Sequence, residues 1–400
     1  MSPIFARALT TEAGATPAER LAPYLPPGLL GEAADAATAP ILVLDAPPRH
    51  AAEIVAPLRA AGAFAYFDGE RLIAIGPRSA LERAAGALDG AARAVLSELL
   101  RAFDATTVRQ VRLRARAHEL DFASGAKVMG ILNVTPDSFY DRGRFSGVDR
   151  ARERALEMVE DGAATIDIGG QSYAHWNPRV AAEEECARVV PVVEALVRDG
   201  LGVPLSIDTF KSEVAEAALA AGADVINDCS GLSDPKLVDV VARHDAALVV
   251  MHLKGELNVR ASEYPYDDPM REILTFLRER VERALAAGIA RESLVVDPGL
   301  EFGKEPAVDC EILDRFSDLR SLGLPILFAA SRKSFIGRIF HRPARDLLVP
   351  SLATAALGVI AGANLVRVHD VAETAALCRM IGAVRPAVRR ALDILPAMPV

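Results

Sequence analysis

Cysteine is scarce and unpaired in pattern: Cys186, Cys229, Cys310 and Cys378 are the four in 400 residues, with no CxxC spacing among them. That excludes a disulfide framework and a zinc site of the usual spacing, and it points to free thiols in a reducing compartment. No apolar run approaches the roughly 20 residues that cross a bilayer, and the opening stretch MSPIFARALTTEAGA lacks the apolar core of a secretion signal. No membrane partner is expected, and the cytoplasm is the expected location. Basic residues are outnumbered, 45 Lys and Arg against 54 Asp and Glu, for a net charge of −9. Nucleic acid is therefore not an expected partner, although a local basic pocket for a small phosphate ligand is allowed. The histidines show no HExxH or comparable metal-ligand spacing. The run from Gly299 to Glu305 resembles a Walker A loop but is one residue short, and it ends in glutamate where Ser or Thr should hold Mg²⁺.

What is present is a well-packed composition, 51% hydrophobic and 25% charged. The length suits two or three domains, or one barrel of roughly 250 residues with an addition. Residues up to 39 are rich in Ala, Pro and Glu, with room for at most a short helix. A strand is expected over 40–45 and a helix over 50–61. Strands over 63–67 and 71–75 are joined by Asp68-Gly69, a hairpin signal, and one helix is expected over 79–100. Residues 1–108 thus read as a small α/β domain without a polar constellation that demands chemistry. A hairpin follows over 108–127, turned near Ser124-Gly125. Thereafter strand-length apolar runs recur at 128–132, 165–169, 204–207, 224–226, 246–251, 294–296, 325–329 and 364–368, most of them followed by helical spacing. About eight βα units over 109–400 close most naturally into a (β/α)8 barrel. An open doubly wound sheet is the alternative, but the GxGxxG it would carry after its first strand is missing.

In such barrels the chemistry sits at the C-terminal ends of the strands. In order, the expected ends give Asn133 with Thr135–Phe139, Asp167 with Gly169-Gly170-Gln171, Asp208, Asn227-Asp228, His252, Asp297, Ser331-Arg332-Lys333-Ser334, and Arg367-Val368-His369-Asp370. Singly, each has an ordinary explanation. Asp228 and Asp370 suit helix caps, His252 a satisfied core position, Lys304 a solvated loop. Together they place carboxylates, amides and cations on one face, with the basic members where barrels often bind phosphate.

The motifs MGILNVTPDSF, SIDTFKSEVA, VINDCSG, DPGLEFGK, SRKSFIG and RVHDV, in this order, resemble dihydropteroate synthase, a pterin-binding (β/α)8 enzyme. The likeness covers residues 112–390 or so; residues before about 108 fall outside it. The resemblance implies a pterinylmethyl transferase that condenses 6-hydroxymethyl-7,8-dihydropterin diphosphate with p-aminobenzoate and releases pyrophosphate. It gives the chemistry to Asp208, Lys333 and Asp297. Asp297 and Asn227 would hold the pterin edge, Lys333 would donate to the ring, and Asp208 would face the ring and stabilise positive charge. Arg367, His369 and Asn133 would take the diphosphate, with Mg²⁺ near Asn133. Phe302 and Ser334 would flank p-aminobenzoate; Thr135, Phe139, Gln171 and Tyr173 belong to the two loops that would close the site. The resemblance also implies a homodimer.

The second loop departs from the family pattern. GGESTRPG becomes Gly169-Gly170-Gln171-Ser172-Tyr173-Ala174-His175-Trp176. Ala174 replaces a charged residue, with His175, Arg179 and Arg142 as candidate substitutes. Two rivals stand beside the synthase: a paralogue that uses a different arylamine, and a methyl-tetrahydrofolate methyltransferase. A non-enzymatic pterin binder is a third, opposed by the retained diphosphate residues.

Overall fold

The chain is seen as a computed structural model in which residues 5–9, 21, 25–30, 33, 41–45, 48–107, 111–135, 147–171, 180–257 and 264–384 are described. It forms two compact units, one of Met1–Arg109 with Arg315–Leu324, the other of Gln110–Asp314 with Pro325–Val400.

The first unit holds an antiparallel sheet of β1 (Phe5–Leu9), β2 (Ile41–Asp45), β3 (Phe64–Phe67) and β4 (Arg71–Ile75), in the spatial order β1-β2-β4-β3. Because strand side chains alternate, β2 sends Leu42 and Leu44 to one face and Ile41 and Val43 to the other. Ile54, Leu58, Leu81 and Leu96, from the helices Pro48–Ala60, Arg78–Gly86 and Gly90–Thr107, join the first cluster; Leu21 and Leu25 join the second. The β3–β4 turn follows its sequence signal. Asp68 Oδ1 accepts from the N–H groups of Glu70 and Arg71 at 2.7 and 2.6 Å.

Two readings of this unit need correction. The leader contributes a strand, β1, where at most a short helix was expected; its five residues are ordered by pairing with β2, a long-range contact without local signal. The single helix expected over 79–100 is two, because the chain breaks between Gly86 and Gly90 and Gly90 takes a φ of 57°. The 3-10 turn Phe316–Leu322 also belongs to this unit. It lies against the helix Gly90–Thr107 and β1, with Phe316 and Leu319 fully buried.

In the second unit, the hairpin β5 (Arg112–Ala115) and β6 (His118–Asp121) precedes β7 (Lys127–Asn133), β8 (Ala163–Gly169), β9 (Leu205–Asp208), β10 (Val225–Asp228), β11 (Ala247–Met251), β12 (Leu294–Asp297), β13 (Leu327–Phe328) and β14 (Leu365–Val368). The last eight form one parallel sheet in the order β12-β11-β10-β9-β8-β7-β14-β13. A parallel bridge between Val296 and Ile326 joins its two ends. The sheet is a (β/α)8 barrel.

The hairpin turns at Arg116-Ala117, not near Ser124-Gly125. Arg116 takes the left-handed conformation at φ 52°, and its Nη1 donates to the carbonyls of Leu219 and Ala223 at 3.2 and 2.8 Å. A turn held by an arginine in this way carries no glycine signal. Leu113, Ala115, Leu120 and Phe122 pack with Met129, Val225, Ala247, Leu327 and Leu365, residues from the starts of five strands. The hairpin therefore plugs the N-terminal end of the barrel and leaves the C-terminal end for ligands.

Candidate active site

Strand register places the acidic and amide groups in one row. Asn133 pairs with Gly169, Gly169 with Asp208, and Asp208 with Asn227 across β7, β8, β9 and β10. Neighbouring strands lie about 4.8 Å apart, so the four positions form an arc over one end of the barrel. Gly169 lies beside two of these side chains. A Cβ there would lie 3.4 Å from Asn133 Oδ1 and 3.9 Å from Asp208 Oδ2, in the space between the two side chains.

Asp167, one turn of the pleat deeper on β8, ties the row to β14. It is fully buried, and it accepts from Ser206 Oγ at 2.6 Å, Asn227 Nδ2 at 3.0 Å and Arg367 Nε at 2.5 Å. Arg367 Nη2 donates to Asp208 Oδ2 at 2.7 Å. One guanidinium thus spans two carboxylates, which hold it protonated above its ordinary range although burial opposes them. With its amide nitrogen committed to Asp167, Asn227 keeps its carbonyl oxygen as an acceptor. Burial pushes the Asp208 carboxyl up to about 7, against the pull of Arg367 and with the repulsion of Asp167.

A second group gathers from β12, β13 and the loops beyond them. Asp297 is buried, its carboxyl raised by burial, and its Oδ1 accepts from Gly299 N–H at 2.7 Å. Gly299 has a φ of 67°, and a Cβ there would meet the His252 carbonyl oxygen at 2.1 Å, so the turn tolerates only glycine. Lys333 Nζ donates to the Leu300 carbonyl at 2.6 Å and lies 4.9 Å from the centre of the Phe302 ring; burial lowers its pKa. Ser334 is exposed and donates through N–H and Oγ to Glu301 Oε1.

At β14, His369 Nδ1 lies 3.0 Å from Ser331 Oγ, which accepts from the His369 N–H at 3.2 Å. The hydroxyl proton then points to Nδ1, leaving Nε2 as the N–H donor of a neutral ring. Burial and the nearby Arg367 push this imidazole down to about 4, in keeping with neutrality. A cavity of about 330 Å³ is lined by Asn133, His369, Arg150 and Arg154, and one of about 700 Å³ by Lys333, Ser334, Arg367 and His369 among others.

Several sequence readings change. Asp228 caps no helix; it braces its own loop by accepting from Ser230 and Leu232. Asp370 keeps its place just before the helix Val371–Val384, where its carbonyl accepts from Thr374 N–H at 3.2 Å, and its carboxylate also forms a two-point ion pair with Arg332 at the cavity wall. Lys304 is buried, not solvated, and donates to the carbonyls of Gly299, Phe302 and His252 at 2.7, 2.8 and 3.4 Å. His252, by contrast, is the core residue it was expected to be, edge-on to Phe276 with centroids 4.9 Å apart. Gln171 Oε1 accepts from Lys211 Nζ at 2.7 Å and from Val180 N–H at 3.3 Å. Thr135 is half-buried just past β7. Phe139 and Tyr173, with Asp137, Arg142, His175 and Arg179, lie outside the described residues.

Sequence reading passed over Asp167 as a hub, Glu301, and the pair Arg150 and Arg154. The last could have been found. They stand four residues apart at the start of the helix Gly147–Glu160, directly after the first loop, and that spacing puts both on one face.

The sequence profile described as pterin binding enzyme matches residues 129–369. The dihydropteroate synthase of Bacillus subtilis is 39% identical over 272 residues, covering 68% of this chain and 93% of its own. The chain belongs to the dihydropteroate synthases of the pterin-binding enzyme family. The Escherichia coli dihydropteroate synthase is 38% identical over 273 residues, 68% of this chain and 96% of that one. A Xanthomonas albilineans dihydropteroate synthase solved with 4-aminobenzoic acid is 40% identical, with a TM-score of 0.63 over 72% of this chain and 99% of its own. The same organism's enzyme with 7,8-dihydropteroate gives 39% and 0.61 over 71% and 100%. Dihydropteroate synthases are transferases, and the matched residues contain the whole arc from Asn133 to His369. Residues before 129 lie outside the matched profile.

Proposed function

We propose that this chain condenses 6-hydroxymethyl-7,8-dihydropterin diphosphate with p-aminobenzoate to give 7,8-dihydropteroate and pyrophosphate. The observation that carries this reading is the Asp167–Arg367–Asp208 bridge beside Asn227, which sets a buried carboxylate where a flat nitrogen-rich ring would meet it. Asp297 and the Asn227 carbonyl accept from the pterin N–H edge, and Lys333 donates to the ring. As the C–O bond to diphosphate breaks, positive charge grows on the pterin methylene and Asp208 stabilises it. Arg150, Arg154 and the Nε2–H of His369 face the departing diphosphate. The amine of p-aminobenzoate then forms the C–N bond and sheds a proton. No activated nucleophile is needed, because the electrophile is made first.

Mg²⁺ fits the donor set at Asn133. Among the described residues no three His, Cys, Asp or Glu gather to hold a metal, while Asn133 offers an exposed amide oxygen beside the basic cavity. A Mg²⁺ held by Asn133 and substrate oxygens, when bound, would neutralise charge on the diphosphate. A homodimer is supported by exposed Val349, Leu357, Ile360 and Met380 on the helices Leu348–Ala361 and Val371–Val384. The four free cysteines support a reducing, cytoplasmic setting, and no described helix is long and apolar enough to cross a membrane. The paralogue with another arylamine remains as a second reading because Glu301 occupies the Ser334 donors.

Pyrophosphate release from the dihydropterin diphosphate, with and without p-aminobenzoate, tests the assignment. Stimulated release is expected; none in either condition refutes it. The same assay has a pH signature. Asp208 must be ionised to act and its carboxyl titrates at about 7, so kcat/KM should rise with pH up to about 7 and fall about tenfold per unit below it. A flat profile from about pH 5 to about 7 would show that another group limits the rate.

A further inference from the structure

We infer that Glu301 is a specificity-determining residue for the arylamine acceptor, its carboxylate occupying the Ser334 donors that an acceptor carboxylate would otherwise use. This rests on the synthase reading, in which Ser334 flanks the acceptor. Three observations carry it.

Glu301 has a φ of 72°, a left-handed conformation that side chains with a Cβ enter only when the surroundings compel it. The compulsion is visible. Its N–H donates to Oδ1 of buried Asp309 at 2.7 Å, and its Oε1 accepts from Ser334 N–H at 2.8 Å and from Ser334 Oγ. The residue is clamped from below and from the front, so the carboxylate is held in place rather than swept through solvent.

The same side chain faces the cavity of about 700 Å³, whose lining includes Arg338, Arg342, Lys333 and Arg367. Among the described lining residues Glu301 is the acidic one. A cation-rich pocket suited to an anionic ligand thus carries an anion of its own, hydrogen-bonded to the hydroxyl and amide at its edge. An acceptor with a carboxylate must displace Glu301 or settle beside it against like-charge repulsion, a device that discriminates by penalty rather than attraction. An uncharged arylamine meets no such penalty.

The test compares wild type, Glu301→Gln and Glu301→Gly as full chains, using pyrophosphate release with p-aminobenzoate and with p-aminobenzamide. Glycine adopts φ 72° freely, so at least one variant keeps the loop. KM for p-aminobenzoate should fall about tenfold in both variants, KM for p-aminobenzamide should move by less than about twofold, and KM for the pterin diphosphate should stay constant. An unchanged or higher KM for p-aminobenzoate in Glu301→Gly overturns the assignment, and so do equal shifts for the two amines. If wild type releases no pyrophosphate, the failure belongs to the synthase reading. Calorimetric titration of p-aminobenzoate then still decides Glu301: tighter binding to Glu301→Gly supports the role, and equal binding overturns it.

Discussion

Asp208→Asn should lower kcat for pyrophosphate release by about 10²–10³-fold, the size of effect seen when one preorganised electrostatic partner of a transition state is removed. The amide is nearly the same size as the carboxylate, and its oxygen still accepts from Arg367, which reaches Asp208 at 2.7 Å in the native protein. Position and packing are therefore kept, and the charge alone is lost. In the proposed site the pterin is held mainly by Asp297, Asn227 and Lys333, so its KM should stay similar, because the missing interaction is strongest once the C–O bond has begun to break. The melting temperature should change little, since a neutral side chain next to buried Asp167 relieves one repulsion while weakening one ion pair. The residual activity should also lose its rise toward pH 7, because the group that titrates there is gone. A modest loss of kcat with a large loss of thermal stability would assign Asp208 to structure instead.

Asp167→Ala should be the most damaging change to the protein as a whole. Three donors lose their acceptor at once: Ser206 Oγ, Asn227 Nδ2 and Arg367 Nε. Breaking a buried pair by removing one partner costs about 3–5 kcal/mol, which is a large share of a domain's total stability. Urea unfolding should show that loss. Any folded fraction should bind the pterin poorly, since the Asn227 amide can rotate and Arg367 keeps Asp208 alone among its described hydrogen-bond partners. Asp167→Asn, which offers one acceptor oxygen, should recover part of the stability and part of the pterin affinity. If Asn and Ala behave alike, the hydrogen bonds of Asp167 are not what positions Asn227 and Arg367.

The barrel was legible because parallel strands buried on both faces are nearly continuous apolar runs, and each of the eight expected runs overlaps an observed strand. The polar groups beyond them could be read as one set because strand ends share one face. Where reading failed, the determinant was remote in sequence. Asp167 looks like any strand aspartate until Arg367 arrives from 200 residues away. Lys304 looks solvated until three carbonyls close on it. Glu301 looks like a loop charge until its backbone angle and its hold on Ser334 are seen together. The turn of the first hairpin was misplaced for the opposite reason. Gly125, with a φ of 131°, marks a real bend, but the tighter one is held at Arg116 by carbonyls more than 100 residues distant.

The 3-10 turn Phe316–Leu322 has a practical meaning for anyone who would trim this protein. Its residues lie between two βα units of the barrel in sequence, yet they belong to the N-terminal unit and pack on its helix Gly90–Thr107 and on β1. The chain crosses between the two units three times, so no single cut separates them. An enzyme shortened to begin at Gln110 would keep every residue of the candidate arc. It would also keep Phe316 and Leu319, buried in the whole chain, as a sticky turn stripped of the helix and strand it packs on.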